Sequence, residues 1–582
     1  NKYAAQKLKV GEEYLFWGKV DLNFFGAEMT SPEIESPQGN NIIRPIYPQT
    51  AGINSKALEK LVRTALTALK DDLAHDPLPC DLVESQKLMP YGQAISSIHF
   101  PKNFEVLEEA RKRLIFEELL FLQLGLLVMR GREESSTGAV ISRDFTDEFA
   151  KLLPFEMTGA QKRCVKEGVK DMARPHPMSR LLQGDVGSGK TAVAAALVYN
   201  CIKNSFQAAL MAPTEILAGQ HHKTFSKFLA DKGVNIALLT GSTSAAEKRR
   251  IKSGLSSGEI NLVVGTHALI QEDVLFDKLG LVITDEQHRF GVGQRAKLGA
   301  KGLNPHVYVM SATPIPRTMA LFIYGDLDIS VLDELPPGRQ KVATYAVDTA
   351  LRARALNYVK KHLDKGLQGY IICPLVEEGE SELVAATRYA SDLSEGFFAD
   401  YKVGLLHGKM KAKDKDAVMA SFASGETDLL VSTTVVEVGV DVPNAAIMVI
   451  EHAERFGLSQ LHQLRGRIGR GEHESTCILI SDAQNEEAKR RLDIMAKTNN
   501  GFLIAEEDLK NRGPGDFFGS RQHGLPELKI ADMLNDIDML RLTQTLAKEI
   551  VSADPTLSQT QNRGLKAAVN ELFDESGIHS FN

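Results

Sequence analysis

The sequence predicts an α/β protein built on two parallel-sheet domains, with β structure before them and helix and loop after. Three observations carry this. Between about residues 150 and 480, short apolar runs alternate with stretches of helical period. Strands separated by helices run parallel and are covered on both faces. Gly184-Asp-Val-Gly-Ser-Gly189-Lys190-Thr191 fits the pattern G-x-x-x-x-G-K-[ST], between an apolar Leu181-Leu182 and an Ala/Val-rich stretch. Pro336-Pro337-Gly338 interrupts the alternation near its middle, as a hinge between two sheets does.

The elements follow in order. Tyr14–Val20 is rich in β-prone residues, and Pro32, Pro37, Gly39, Pro45 and Pro48 punctuate what comes next. Residues 54–72 and 104–130 have helical spacing, with Asn54 and Asn103 as N-caps and Leu107, Leu114, Leu119 and Leu122 on one stripe. The stretch 131–144 is polar and reads as loop. The predicted strands of the first sheet include Ala208–Met211, Ile236–Leu239, Leu262–Val264, Leu281–Thr284 and Val307–Met310. Those of the second include Gly369–Cys373, Val403–Leu406, Leu429–Val431, Ala446–Ile450 and Cys477–Ile480. Residues 501–582 return to helix and loop.

Composition narrows the class. The 582 residues suffice for about three to five domains. Hydrophobic residues at 43% and charged residues at 25% exclude disordered, collagen-like and coiled-coil chains. The net charge of −7 gives no global basic footprint, although it says nothing of local patches. Five scattered cysteines without C-x-x-C argue against a zinc site or disulfide framework and for a reducing compartment. No apolar run reaches the roughly 18 residues of a membrane span, and no signal-peptide pattern opens the chain. It opens on Asn1 rather than Met, as a fragment or processed product does.

The glycine-rich motif has a direct physical reading. Its glycines let backbone N–H groups turn toward phosphate oxygens, and the following helix presents its positive end to the same anion. Lys190 adds a point charge, and Thr191 offers a hydroxyl to Mg²⁺. Leu281-Val-Ile-Thr-Asp285-Glu286-Gln-His288 supplies the second carboxylate site, at a strand's C-terminal end where open α/β sheets bind ligands. Asp285 suits the Mg²⁺ shell, and Glu286 suits polarising an attacking water.

Asp285-Glu-Gln-His resembles the DEAD/DEAH-box helicases of superfamily 2. The longer run Asp285–Arg295 resembles, more narrowly, the RecG family of DNA helicases. Met211–Ala218, Gly265–Ala268, Ser311–Arg317, Asp333–Arg339, Ser432–Pro443 and Gln460–Arg470 agree, so the resemblance runs from about residue 10 to at least 535. It implies two RecA-like P-loop domains, a partial N-terminal OB-type wedge, a helical connector and a C-terminal helical and loop segment. Their expected bounds are 1–50 (wedge), 51–150 (connector), 151–340 (first RecA-like, ATP-binding), 341–485 (second RecA-like) and 486–582 (translocation coupling). The wedge is expected to be partial because a five-stranded OB barrel needs roughly 70–100 residues.

The resemblance also implies roles. Gln161, with Gly184, Asp185, Gly187, Ser188, Gly189, Lys190 and Thr191, would bind ATP, and Gln161 can both donate and accept at an adenine edge. Lys190, Asp285, Glu286, Gln463, Arg467 and Arg470 would carry catalysis, Thr191 and Asp285 would hold Mg²⁺, and Gly439 and Asp441 would sense nucleotide. Always-charged, planar guanidinium suits charge spread over phosphoryl oxygens. Thr214, Thr266 and Thr433 would touch a nucleic-acid backbone, while Thr313 would link hydrolysis to movement. The run Gly501–Gly524 resembles the family's translocation motif, with Arg512 and Gln522 as coupling residues and Arg491 as an upstream match. Trp17, Phe24, Phe25 and Lys19 are the wedge candidates for stacking and phosphate contact.

The function so implied is an ATP-dependent helicase or translocase that moves on duplex DNA and remodels stalled forks and Holliday junctions in repair and recombination. Its implied partners are branched DNA and a single-stranded-DNA-binding protein, as a monomer without membrane contact, in a bacterial, nucleoid-associated cytoplasmic setting. Two alternatives stay open: a transcription-repair coupling translocase, which shares a related translocation motif, and a catalytically dead binding module on a helicase scaffold.

Overall fold

Short local signals start the elements, and burial completes them. In a computed structural model, the described residues are 8–23, 26–29, 32–35, 43, 45–48, 53, 55–134, 138–229, 233–285, 301–302, 304–311, 327–336, 341–374, 381–433, 442–471, 473–517, 526, 528–532 and 535–575. The chain begins with strands β1 (Leu15–Trp17), β2 (Val20–Asn23), β3 (Gly26–Met29) and β4 (Glu33–Glu35). Helices α1 (Ser55–Ala68), α2 (Cys80–Ser85), α3 (Tyr91–His99) and α4 (Phe104–Glu134) follow. Next come α5 (Thr146–Ala150), α6 (Gly159–Met172), β5 (Ser179–Gly184) and α7 (Lys190–Lys203). The first large sheet continues through β6 (Gln207–Met211), α8 (Glu215–Leu229), β7 (Ile236–Leu239), α9 (Ala245–Ser256) and β8 (Leu262–Gly265). It ends with β9 (Leu279–Asp285), β10 (His306–Ser311) and β11 (Asp328–Leu332).

The second large sheet holds β12 (Ala343–Val347), α10 (Arg352–Leu363), β13 (Gln368–Ile372), α11 (Ser381–Glu395), β14 (Val403–Leu406) and α12 (Ala412–Ala423). It closes with β15 (Leu429–Ser432), β16 (Ala445–Ile450), α13 (Leu458–Arg465) and β17 (Thr476–Ile480). After it, the described residues hold the α-helices α14 (Glu486–Lys497), α15 (Gly501–Phe517), α16 (Ile537–Ala553) and α17 (Arg563–Glu575).

Both large sheets are parallel. The first has the order β11-β5-β10-β9-β6-β8-β7 and the second β12-β17-β16-β13-β15-β14. Inner strands such as β6 and β8 are buried along their whole length, as sheets covered by helices on both faces require. Helix α7 is buried from Ala192 to Cys201, and its small residues let it lie close to Leu182, Leu210 and Ile283 of the sheet. Burying a side chain such as Leu197 contributes about 1.5–3 kcal/mol. Helix α6 starts on a reciprocal cap: Thr158 Oγ1 accepts from Gln161 N, and Gln161 Oε1 accepts from Thr158 N.

The chain divides into two compact units, Leu126–Leu525 with Met533–Asn535, and Asn1–Gly125 with Pro526–Asp532 and Asp536–Asn582. The structure therefore divides the expected coupling segment 486–582. Helices α14 and α15 stay with the second sheet, whose core includes Leu492, Met495 and Ile504, while α16 and α17 join the other unit. The expected connector 51–150 also ends early, because Ile141 and Phe149 are buried in the core of the first sheet. Helix α4 extends past the expected residue 130 to Glu134. The predicted run 14–20 breaks at Gly18 into β1 and β2. Among the described N-terminal residues there are two antiparallel pairs, β1-β4 and β2-β3. The five cysteines carry no disulfide, and no helix among the described residues is long and apolar enough to cross a membrane.

Candidate functional site

Strand β5 delivers the chain at Gly184 and α7 takes it up at Lys190, so the intervening loop turns at the C-terminal edge of the first sheet. Gly187 (φ +75°) and Gly189 (φ +87°) make the turn in the left-handed region, where other residues are strained. A Cβ on Gly189 would collide with Gln161 Nε2, and one on Gly184 would stand 2.5 Å from Ser188 Oγ. Lys190 Nζ donates to the carbonyls of Gly184 (2.9 Å) and Asp185 (3.0 Å). Ser188 Oγ is buried without a hydrogen-bond partner among the described residues, a condition that a ligand oxygen or water relieves. Backbone donors, a helix N-terminus, an ammonium and a waiting hydroxyl together form an anion cradle. The arrangement fits a nucleotide phosphate.

Gln161 is placed otherwise than expected. Its side chain is 1% exposed; Oε1 serves the α6 cap and Nε2 donates to Ser188 O at 2.9 Å. The amide is thus a strut under the phosphate loop, with both its functions engaged in protein contacts.

Strand β10 separates β5 from β9, so the ends of three neighbouring strands carry Gly184, Ser311 and Asp285. Asp285 is buried, and its Oδ2 accepts from His221 Nε2 of α8 at 2.7 Å. His221 had no signal in the sequence beyond a place on a helix. Glu286, Thr313, Gly439, Asp441 and Gln522 lie outside the described residues.

The second sheet's α13 meets this loop. A Cβ on Gly466 would come within 2.9–3.1 Å of Val186, and His462 Nε2 lies 2.6 Å from Asp185 Oδ1. The segment carrying Arg467 and Arg470 is therefore packed on the phosphate loop. Arg467 is buried; Arg470 Nε donates to Gly466 O at 3.0 Å, over the turn that Gly469 makes at φ +75°. Gln463 is half-buried on the same helix. A second approach joins Glu215 of α8 to Asp416 of α12: burial, and then the Glu215 charge, push the Asp416 carboxyl up.

The expected nucleic-acid residues sit at strand ends. Thr214 Oγ1 accepts from Leu217 N at the start of α8. Thr266 and Thr433 are buried, and their hydroxyls have no hydrogen-bond partner among the described residues. Unexpected supports surround them. Glu215 accepts from Ser242 N (3.1 Å) and from Ser242 Oγ, which braces the loop after β7. Lys248 Nζ donates to Gly241 O (2.8 Å), and Lys415 Nζ donates to Gly408 O (2.6 Å), each seven residues back. The two sheets thus repeat one device, a glycine loop braced by a lysine from the next helix. That equal spacing was available in the sequence. Burial, with Lys415 and Lys409 nearby, pushes the His407 imidazole down.

Arg491, the upstream match, is half-buried. Its guanidinium donates to Glu454 O (3.0 Å) and Phe456 O (3.5 Å), just before α13. Arg512 lies near the end of α15, and its side chain is outside the described residues. In the wedge, Phe24, Phe25 and the side chain of Trp17 are outside the described residues; Lys19 is exposed and pairs with Asp21 at 3.1 Å. Phe16, not singled out from the sequence, is 46% exposed on β1.

Family models match as DEAD/DEAH box helicase (158–322), helicase conserved C-terminal domain (354–472), RecG wedge domain (1–69) and ATP-dependent DNA helicase RecG, domain 3, C-terminal (498–575). The ATP-dependent DNA helicase RecG of Bacillus subtilis is 46% identical over 556 residues, covering 95% of this chain and 81% of that protein. That of Synechocystis is 46% identical over 553 residues, covering 93% of this chain and 66% of that protein. A solved structure of RecG bound to a three-way DNA junction matches with a TM-score of 0.73 at 43% identity, over 93% of this chain and 72% of that one.

Proposed function

The chain belongs to the RecG family of ATP-dependent DNA helicases, and from that premise we propose that it is an ATP-driven motor that remodels branched DNA in repair and recombination. The observation that carries this reading is the contact between the two sheets: the phosphate loop of one is bonded to α13 of the other through Asp185 and His462. A motor whose halves close on nucleotide needs its phosphate site at such a joint.

The division of labour we propose places ATP on residues 151–340, closure on 341–485 and coupling to DNA on α14, α15 and the segment beyond. Lys190 and the loop N–H groups would hold the phosphates, and Thr191 and Asp285 would hold Mg²⁺, which when bound neutralises phosphate charge. His221 orients the Asp285 carboxylate. Arg467 and Arg470 would face charge developing on the transferred phosphoryl group, and Gln463 would support them. Glu286 would orient the water, and Gly439 and Asp441 would respond to nucleotide. Thr214, Thr266 and Thr433 would follow a DNA backbone, Thr313 would pass hydrolysis to it, and Arg512 and Gln522 would convert closure into movement.

The substrate class rests on the relative solved with a three-way junction. The family reading extends to a monomer in a bacterial, nucleoid-associated cytoplasm, working beside a single-stranded-DNA-binding protein. The test is steady-state ATP hydrolysis with no DNA, linear duplex, forked duplex and a three-way junction. Branched DNA is expected to stimulate most. Absence of stimulation by any DNA would overturn the motor reading, and equal stimulation by linear duplex would overturn the branch preference.

A further inference from the structure

Arg465 is a buried cation that bonds both beyond its own helix and back to it. Nη1 donates to Met495 O (2.7 Å) and Thr498 O (2.9 Å), at the end of α14, and Nη2 lies 3.1 Å from His462 Nδ1. A guanidinium only donates, so Nδ1 of His462 accepts and the ring proton sits on Nε2. A carboxylate only accepts, so that Nε2–H is directed to Asp185 Oδ1 at 2.6 Å. The imidazole tautomer is set from both sides, in a site where His462 is 5% exposed.

Helix α13 and the turn just before it are fastened to the coupling helices at further points. Asp508 of α15 accepts from Ser459 N (3.3 Å) and Ser459 Oγ (2.6 Å), and Arg491 of α14 holds the carbonyls of Glu454 and Phe456. Helices α13, α14 and α15 therefore share one hydrogen-bonded frame. His462 carries that frame to the phosphate loop of the other sheet, beside the van der Waals approach of Gly466 to Val186.

We propose that His462 is a positioning residue that transmits movement of the phosphate loop, through Arg465, to the coupling helices. The inference rests on the motor reading above and names the bond through which hydrolysis reaches α14 and α15. A coupling bond between two sites biases both of them, and losing it separates their responses.

The test measures ATP turnover and DNA unwinding together on a forked duplex, for the full chain and for His462→Ala and His462→Gln, with thermal unfolding of each. In His462→Ala, base pairs unwound per ATP are expected to fall about fivefold or more, with hydrolysis within about threefold of the parent. Glutamine can donate from Nε2 to Asp185 and accept from Arg465 at Oε1, so His462→Gln is expected to restore the ratio to within about twofold of the parent. An unchanged ratio in His462→Ala, including equal loss of both activities, would overturn the proposal. So would failure of the glutamine to restore a ratio lost in the alanine variant, because that loss would come from packing. Should the parent chain show no DNA-stimulated hydrolysis, the motor reading itself falls, which this comparison separates from failure of the relay.

Discussion

Lys190 is held on the carbonyls of Gly184 and Asp185, the same backbone that turns its N–H groups into the phosphate cradle. Replacing it removes the cradle's ammonium and leaves the glycine turn intact. Lys190→Ala is therefore expected to lower ATP hydrolysis by about 10²–10³-fold or more with little change in melting temperature, by the scale of losing one preorganised donor. Parallel hydrolysis and thermal-unfolding measurements check this, and retained turnover would mean that phosphate binds elsewhere. Lys190, Asp285, Arg467 and Arg470 were legible because each sits in a contiguous motif whose spacing is itself the mechanism. His221 and His462 were not. Their partners, Asp285 and Asp185, are 64 and 277 residues away, and no local pattern encodes such a pairing. Gln161 shows the opposite limit: its motif was legible, but the packing that occupies both ends of its amide was not.

At the scale of elements, the predicted strands were those with continuous apolar runs. β11 and β12 carry no such run: both are edge strands with mixed burial, so about half of each reads as polar or small. β5 was visible only as Leu181-Leu182, because Arg180 and Gln183 interrupt its run. Arg180 is nevertheless buried against Asp171, with Nε–Oδ2 at 2.8 Å. The strap at 529–531 had no signal at all. It is held by Glu118 of α4, whose carboxylate accepts from Lys529 N (2.5 Å), Ile530 N (3.0 Å) and Ala531 N (2.8 Å). Charge-assisted bonds of this kind contribute about 1.5–3 kcal/mol. Glu118→Ala is expected to destabilise the unit that includes residues 1–125 by roughly that amount, read as a downward shift of its calorimetric transition. Glu118→Gln keeps an acceptor and should lose less. Equal stability of all three would show that apolar packing of Ile530, beside Ala94 and Leu114, holds the strap instead.

For the whole molecule, the two units should respond to pH in opposite directions. In the unit containing residues 1–125, burial pushes Glu117 up to about 7, outweighing Arg113 at 2.6 Å. The folded chain keeps that proton where the unfolded chain releases it near 4.5, so the contribution is full below 4.5 and lost as pH rises through 7. In the other unit, His306 accepts from Met178 N (2.8 Å) and donates to Ala139 O (2.6 Å), and burial pulls it down to about 4. Its contribution is full above 6.5 and lost as pH falls toward 4. Calorimetry between pH 4.5 and 7 should show the two transitions moving in opposite senses, with Glu117→Gln flattening only the first. Movement of both in the same sense would mean that other groups dominate. By itself, the sequence determined the parallel-sheet class, the phosphate loop, the strand-end carboxylate and the arginine motif, because each is a local pattern whose physics needs only its neighbours. Only the tertiary structure decided that α16 and α17 fall in a different compact unit from α14 and α15, that Gln161 supports the phosphate loop, and that α13 joins this loop to α14 and α15. Those outcomes depend on which buried donors meet which acceptors across hundreds of residues, and such pairings exist only once the chain has packed.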